Sequence, residues 1–333
     1  MELPRNSLRY LLGLILFGIL FTLWCGLQGT EHGRLLSTAV SLPLRYLEQQ
    51  ISPRDEFAAD ETENDWKAMP DERNGPLPPP RWPELDSSMP TNPLWPSDPD
   101  CSMYNVSFPL KVRKTFLVSF PRSGNSWTRY LIEGATGLVT GAVFKEKLYH
   151  FDMKNDPVKL EGKVILTKIH SNNRRTVPDD VPVILLLRNP AKSIVSYYNF
   201  RKARGSDSKW FHNVSYESYF TEDFARHANR QISRWTKLAA DRLVYSRRLL
   251  VIPYEVLKAD PIAQVRRALA FLGIPADEAR LACLRHHSQG IALGLQRQAD
   301  PYTPQQKLVM AEAVANISEL LRERNFPPLP AYN

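Results

Sequence analysis

The chain has 333 residues, 43% hydrophobic and 23% charged, a globular composition with room for one large α/β domain plus extensions. The net charge of +8 hides a split, with 6 Lys/Arg against 14 Asp/Glu in residues 28–100 and 35 against 20 in residues 101–333. A basic body behind an acidic segment predicts a polyanionic ligand or an acidic acceptor, and without zinc-finger spacing or an RNP-like aromatic string no nucleic-acid partner is expected. Three dispersed cysteines, Cys25, Cys101 and Cys283, give neither a metal cluster nor a disulfide-dense scaffold, and no metal is expected.

Residues 1–9 read as a cytoplasmic tail. Tyr10–Leu27 is eighteen residues without a charge, long enough to span a bilayer as an uncleaved signal anchor. Arg5 and Arg9 lie on its cytoplasmic side, although Arg34 weakens the bias. Three sequons follow, at Asn105, Asn213 and Asn316, which is the expectation for a lumenal, glycosylated body and a single-pass type II protein. Residues 28–100 read as an acidic, largely disordered stem, since Pro70 to Pro99 holds ten prolines and little apolar periodicity. Cys25 sits in the apolar run, which leaves Cys101 and Cys283 as a possible pair.

From Cys101 to the end, short apolar runs alternate with helical patterns. The predicted strands are Thr115–Val118, Val164–Lys168, Val183–Leu187 and Leu249–Pro253. Predicted helices begin with the one after Asn125 and continue over Ala191–Phe200, Tyr216–Asp241, Pro261–Leu272, Asp277–His286 and Pro304–Arg324. Unalternated β-branched and leucine runs fit strands buried on both faces. The expected fold is α/β, a P-loop-like, doubly wound parallel sheet flanked by helices, preceded by one transmembrane helix and the Pro-rich stem.

Ligands of open parallel sheets sit at the carboxyl ends of the strands. The first end carries Phe120-Pro-Arg-Ser-Gly-Asn125, a tight turn into a helix, whose N–H groups and helix terminus suit a phosphate or sulfate. Gly124 allows close approach and Arg122 can form a charge-assisted fork, but the Walker lysine is absent. The other ends carry Lys168 and His170, Arg188 with Ser196, and Tyr254-Glu255. Together they suit a nucleotide with two separate phosphate groups.

Phe120–Trp127 resembles the 5′-phosphosulfate loop of sulfotransferases. Arg188-Asn-Pro with Ser196 resembles their 3′-phosphate motif, and Tyr254-Glu-Val-Leu-Lys258 with Phe271-Leu-Gly273 their adenine-closing segment. Closer still is a resemblance to the WSC-domain-containing sulfotransferases, also described as sialate O-sulfotransferases. It rests on Glu133-Gly-Ala-Thr-Gly137, Lys168-Ile-His170 and Asp300-Pro-Tyr-Thr303, with the overall likeness spanning about residues 112–330. The chain departs from them in lacking cysteine-rich WSC modules, and in Arg122-Ser123 where those relatives tend to have Gly-Ala. The Arg-Lys-Gly end motif of cytosolic members is also missing, with Arg297 as a substitute.

The resemblance implies a Golgi enzyme using 3′-phosphoadenosine 5′-phosphosulfate as co-substrate and a glycan hydroxyl, sialic acid among the options, as acceptor. Arg122 would hold the leaving oxygens, with Ser123, Gly124, Asn125 and Ser126 as donors and Trp127 stacked on adenine. Arg188 and Ser196 would grip the 3′-phosphate, and Tyr254 and Arg297 would complete the site. His170 would be the general base, Lys168 its charged neighbour and Glu133 the rival base. Each has a plainer alternative: surface charge for Arg122, core for Trp127, a helix-face hydroxyl for Ser196, a structural role for His170. Lys145, Lys147, Arg174 and Arg175 could attract an acidic acceptor or simply be solvated, and Gly205–Asn213 reads as a lid. The rival functions are a P-loop nucleotide kinase or NTPase and an inactive tethered glycan-binding module.

Overall fold

The computed structural model describes residues 80–203, 214–289 and 300–332. The predicted tail, the anchor at residues 10–27, most of the stem, the lid at 205–213, Asn213 and Arg297 lie outside the described residues. Among the described residues no helix is long and apolar enough to cross a membrane.

A short antiparallel pair, β1 (Asn92–Pro93) and β2 (Asn105–Val106), precedes the main sheet. Then come β3 (Phe116–Ser119), α1 (Asn125–Thr136), β4 (Gly141–Ala142), β5 (Thr167–Ile169), β6 (Val183–Leu187) and α2 (Pro190–Ala203). After a 3-10 turn at Tyr216–Phe220 follow α3 (Glu222–Tyr245), β7 (Leu249–Pro253), α4 (Tyr254–Ala259), α5 (Pro261–Leu272), α6 (Glu278–His286) and α7 (Pro304–Glu323). The main sheet has the order β4-β5-β3-β6-β7, and every pairing in it is parallel. The chain leaves β3 toward one edge, returns through β5 beside it, and crosses to β6 on the other side. A ligand crevice belongs where that direction reverses, at the carboxyl end of β3.

Period-two alternation explains the apolar runs. Leu117, Ile184, Leu186, Leu250 and Ile252 join one apolar cluster with Leu131 of α1, Leu269 of α5 and Leu284 of α6. Their neighbours Phe116, Val118, Leu185, Leu187 and Val251 join a second cluster with Ile194 of α2, Trp235 of α3 and Ile317 of α7. Both faces are therefore covered, and no strand residue can be polar without cost.

Three expectations need correction. The packed body starts before residue 101: Leu94 and Trp95 are buried, Trp95 Nε1 donates to Tyr130 Oη at 3.1 Å, and Lys163 reaches Asp86 at 2.6 Å. Proline content read residues 80–100 as stem, but prolines there merely separate anchoring side chains. The main sheet has a fifth strand, the two-residue edge strand β4, too short for any pattern to reveal. The long helix expected from Tyr216 breaks at Thr221, whose hydroxyl caps Phe224 N–H and starts α3 afresh.

Cys101 and Cys283 form a disulfide across 182 positions of sequence, joining the start of the body to α6. A covalent loop of that size removes much unfolded-chain freedom. Cys283→Ser is expected to lower unfolding free energy by about 2–5 kcal/mol in denaturant titrations under oxidising conditions. Equal midpoints, or free thiols on non-reducing peptide mapping, would contradict the bond.

Candidate active site

The turn after β3 holds two left-handed residues, Arg122 at φ 65° and Gly124 at φ 94°. Gly124 is also the N-cap of α1. A Cβ there would lie 2.5 Å from the Tyr254 ring, so only glycine fits between the turn and the start of α4. Asn125 closes the turn from below, donating to Ser119 Oγ at 3.1 Å and to Leu117 O at 3.4 Å. Its amide thus ties strand to helix.

Arg188, from the end of β6, donates to the Arg122 carbonyl at 2.6 Å and lies 4.6 Å from the Tyr254 ring centroid. Arg122 Nε donates to Ser196 Oγ at 3.2 Å, with Phe200 under its guanidinium at 5.4 Å. Burial, reinforced by the neighbouring Arg188 charge, lowers the Arg122 pKa. Burial does the same to Arg188, against the pull of Tyr254 and Glu255. Among the described residues neither guanidinium has an ion pair, and Arg188 is only 6% exposed. Arg188 Nε and the fully buried Ser123 Oγ have no hydrogen-bond partner.

Beside the turn, the end of β5 presents Lys168 and His170. His170 Nδ1 is 2.8 Å from the Ser119 carbonyl oxygen, which can only accept, so Nδ1 carries the proton and Nε2 the lone pair. Burial drives its pKa down to about 4, assisted by the Lys168 and Arg234 charges, so the ring is neutral near pH 7. Lys168 Nζ pairs with Glu146 Oε2 at 2.8 Å and lies 5.0 Å from the Phe144 ring, which also stacks against His170. The other Glu146 oxygen takes Arg129, itself 0% exposed. Burial lowers the Lys168 pKa despite Glu146. Burial would raise Glu146, but Arg129 and Lys168 outweigh it and hold the carboxyl below its usual range.

The structure therefore brings Arg122, Ser123, Gly124, Asn125, Arg188, Ser196, Tyr254, Lys168 and His170 together at four adjoining strand ends, those of β5, β3, β6 and β7. Trp127 belongs to the core: it is 7% exposed, donates to Ser288 O at 2.7 Å and meets Tyr254 edge-on at 5.9 Å. Glu133 faces elsewhere, accepting from Thr140 N–H at 2.8 Å, with His150 Nε2 3.3 Å away. Lys147 pairs with Asp152, and Arg174 with Asp179. Asn105 is exposed in β2, whereas Asn316 is half-buried within α7 and its sequon partner Ser318 is buried. Glu146, Arg129 and Phe144 were missed. Glu146 lies hidden between Lys145 and Lys147, which read as surface charge.

These residues fit the donor named above. The orphaned donors Ser123 Oγ and Arg188 Nε, the glycine-only cradle and two adjacent guanidiniums with no ion pair among the described residues, Arg188 buried and Arg122 half-buried, are what a multiply charged phosphate ester would satisfy. The Sulfotransferase domain family matches residues 112–293, more than half of the chain, and the chain belongs to that family. WSCD family members are similar to it: one from Drosophila pseudoobscura pseudoobscura is 28% identical over 197 residues and one from Aedes aegypti 29% identical over 206. Each match covers 57% of this chain and 60% of the relative's length. Human sulfotransferase 4A1 is 26% identical over 198 residues, covering 55% of this chain and 67% of its own. Among solved structures, mouse sulfotransferase SULT7A1 complexed with PAP aligns with a TM-score of 0.44 and 18% identity, over 63% of this chain and 85% of that one.

The buried Glu133 makes stability depend on pH. Burial raises its pKa from the ordinary 4.5 to about 7, against the Arg129 charge. The folded chain holds this proton more tightly than the unfolded one. Its stabilising contribution is therefore complete below about pH 4.5 and is lost as pH rises through about 7. Glu133→Gln is expected to gain stability over the parent at pH 8 relative to pH 5, by up to about 3 kcal/mol. Parallel pH–stability curves for the two proteins would show that Glu133 is charged in the fold.

Proposed function

We propose that this chain transfers a sulfuryl group from 3′-phosphoadenosine 5′-phosphosulfate to a hydroxyl of a glycan acceptor. The observation that carries the reading is one juxtaposition. A buried guanidinium, Arg188, and a half-buried one, Arg122, neither in an ion pair among the described residues, adjoin a glycine turn, and the carbonyl just before that turn orients His170.

In this reading Arg188 and Ser196 hold the 3′-phosphate. Arg122 and the N–H groups of Ser123, Gly124, Asn125 and Ser126 hold the phosphosulfate and the charge that develops as the phosphate leaves. Tyr254 walls the adenine side. Lys168, kept protonated by Glu146, faces the transferred oxygens. His170 Nε2 takes the acceptor proton as the new sulfur–oxygen bond forms, while Nδ1–H to Ser119 keeps the ring from turning. We further propose that residues 10–27 anchor the chain as a type II Golgi membrane protein with a lumenal body. The Cys101–Cys283 disulfide and the exposed Asn105 sequon suit an oxidising, glycosylating lumen. Sialic acid is the first acceptor to test, on the family resemblance alone.

His170→Ala is expected to keep affinity for 3′-phosphoadenosine 5′-phosphate within a few fold and to lose about 10²–10⁴ in turnover of radiolabelled donor. Glu133→Gln should retain turnover. The working form of His170 is the neutral one, so kcat/KM should stay level through neutral pH and fall only as pH drops through about 4. Normal turnover by His170→Ala, or a limb near 6.5 that survives the substitution, would move the base elsewhere. Absence of transfer to any hydroxyl acceptor by protein that binds the donor would favour an inactive binding module instead.

A further inference from the structure

We propose that Asp98, His286 and His287 form a binding site for one divalent transition-metal ion of the zinc class. One nitrogen from each histidine and one carboxylate oxygen lie within 4.8 Å of one another. Zinc holds nitrogen and oxygen ligands at about 2.0–2.2 Å, so its ligand atoms sit about 3.3 Å apart in a tetrahedron. Metal binding needs the Asp98–His287 pair, now 2.7 Å apart, to open slightly and the longer separations to close, and the exposed His286 has room to move. Water would take the fourth position. The cysteine count excluded a thiolate cluster, whereas this donor set is imidazole and carboxylate, which suits zinc equally well.

The surroundings orient two of the three ligands. The His287 ring stacks on Trp95 with centroids 5.0 Å apart and planes 11° apart. Asp98 Oδ1 accepts from Asp100 N–H at 3.0 Å, which leaves Oδ2 toward His287 Nε2 at 2.7 Å. Such outer contacts fix ligand geometry in metal sites. The disulfide joins the same two segments: Cys101 lies three residues after Asp98, and Cys283 three before His286. Binding would replace the Asp98–His287 hydrogen bond, the imidazole proton moving from Nε2 to Nδ1 through solvent.

An Asp–His pair at a helix C-terminus is favourable without a metal. That accounts for His287 and Asp98, but not for His286 turned edge-on against His287 with centroids 5.0 Å apart. The site shares no residue with the anion turn, and the inference does not depend on the transfer reaction. It would nonetheless stiffen the segment that holds α1, since Tyr130 Oη donates to His287 O at 2.9 Å and Trp127 to Ser288 O at 2.7 Å.

The test is calorimetric titration of the full-length, untagged, chelator-treated chain with Zn²⁺, repeated with His286→Ala and Asp98→Asn. One ion per chain is expected, and each variant should bind at least about tenfold more weakly, since losing even an outer-shell partner costs about 10–100-fold. Co²⁺ in place of zinc should give visible bands of a four-coordinate site. No saturable Zn²⁺ binding, or unchanged affinity in either folded variant, would overturn the proposal.

Discussion

Two neighbouring guanidiniums, Arg188 buried and Arg122 half-buried, neither in an ion pair among the described residues, are the constraint around which the strand ends are organised. A buried charge costs several kcal/mol unless it is paired and hydrogen-bonded. Arg188 and Arg122 are joined through a backbone carbonyl and face the Tyr254 and Phe200 rings, which offset the cost only in part. Glycine at position 124 admits Tyr254 to this arrangement, and Ser196 fixes the tip of Arg122. Every element at the site helps to hold positive charge where an anion must complete it.

A few residues away the same problem has an internal solution. Arg129 and Lys168 share Glu146, so each has an ion-pair partner within the protein and one of the two charges is offset. Arg129 also donates to Thr140 Oγ1 at 2.8 Å, and Thr140 in turn donates to Glu133. One cationic group is thus held rigid by a protein carboxylate, while the other is left open to an anion. Burial, helped by the Lys168 charge, keeps His170 neutral against the opposing pull of the Ser119 carbonyl.

Much of this was legible in the sequence because strands buried on both faces cannot hide. Val183–Leu187 and Leu249–Pro253 emerge with their predicted bounds, and the residues just beyond the strands lie where ligands bind α/β sheets. The second strand begins three residues later than its apolar run suggests, which brings His170 directly to its end. What stayed hidden depends on long-range contact. Glu146 and Arg129 are 17 residues apart, and no spacing rule announces that the first neutralises the second. Residues 80–100 were concealed by composition, since Leu94 and Trp95 are core residues set among prolines. Trp127 reads equally well as a base-stacking group or as core, and only its bond to Ser288, 161 positions away, decides for the core.

The account stands on the Arg122–Arg188 guanidinium pair being completed by phosphate groups rather than by the nucleoside. The most direct measurement compares the thermal stability of the full-length chain with 3′-phosphoadenosine 5′-phosphate and with adenosine, at matched concentrations. A ligand that binds only the folded state stabilises by about 2.7 kcal/mol at a hundredfold excess over Kd. The account expects a clear rise in Tm with the bisphosphate, weakened by salt, and little or none with adenosine. Equal shifts from both ligands, or no shift from the bisphosphate at millimolar concentration, would contradict it.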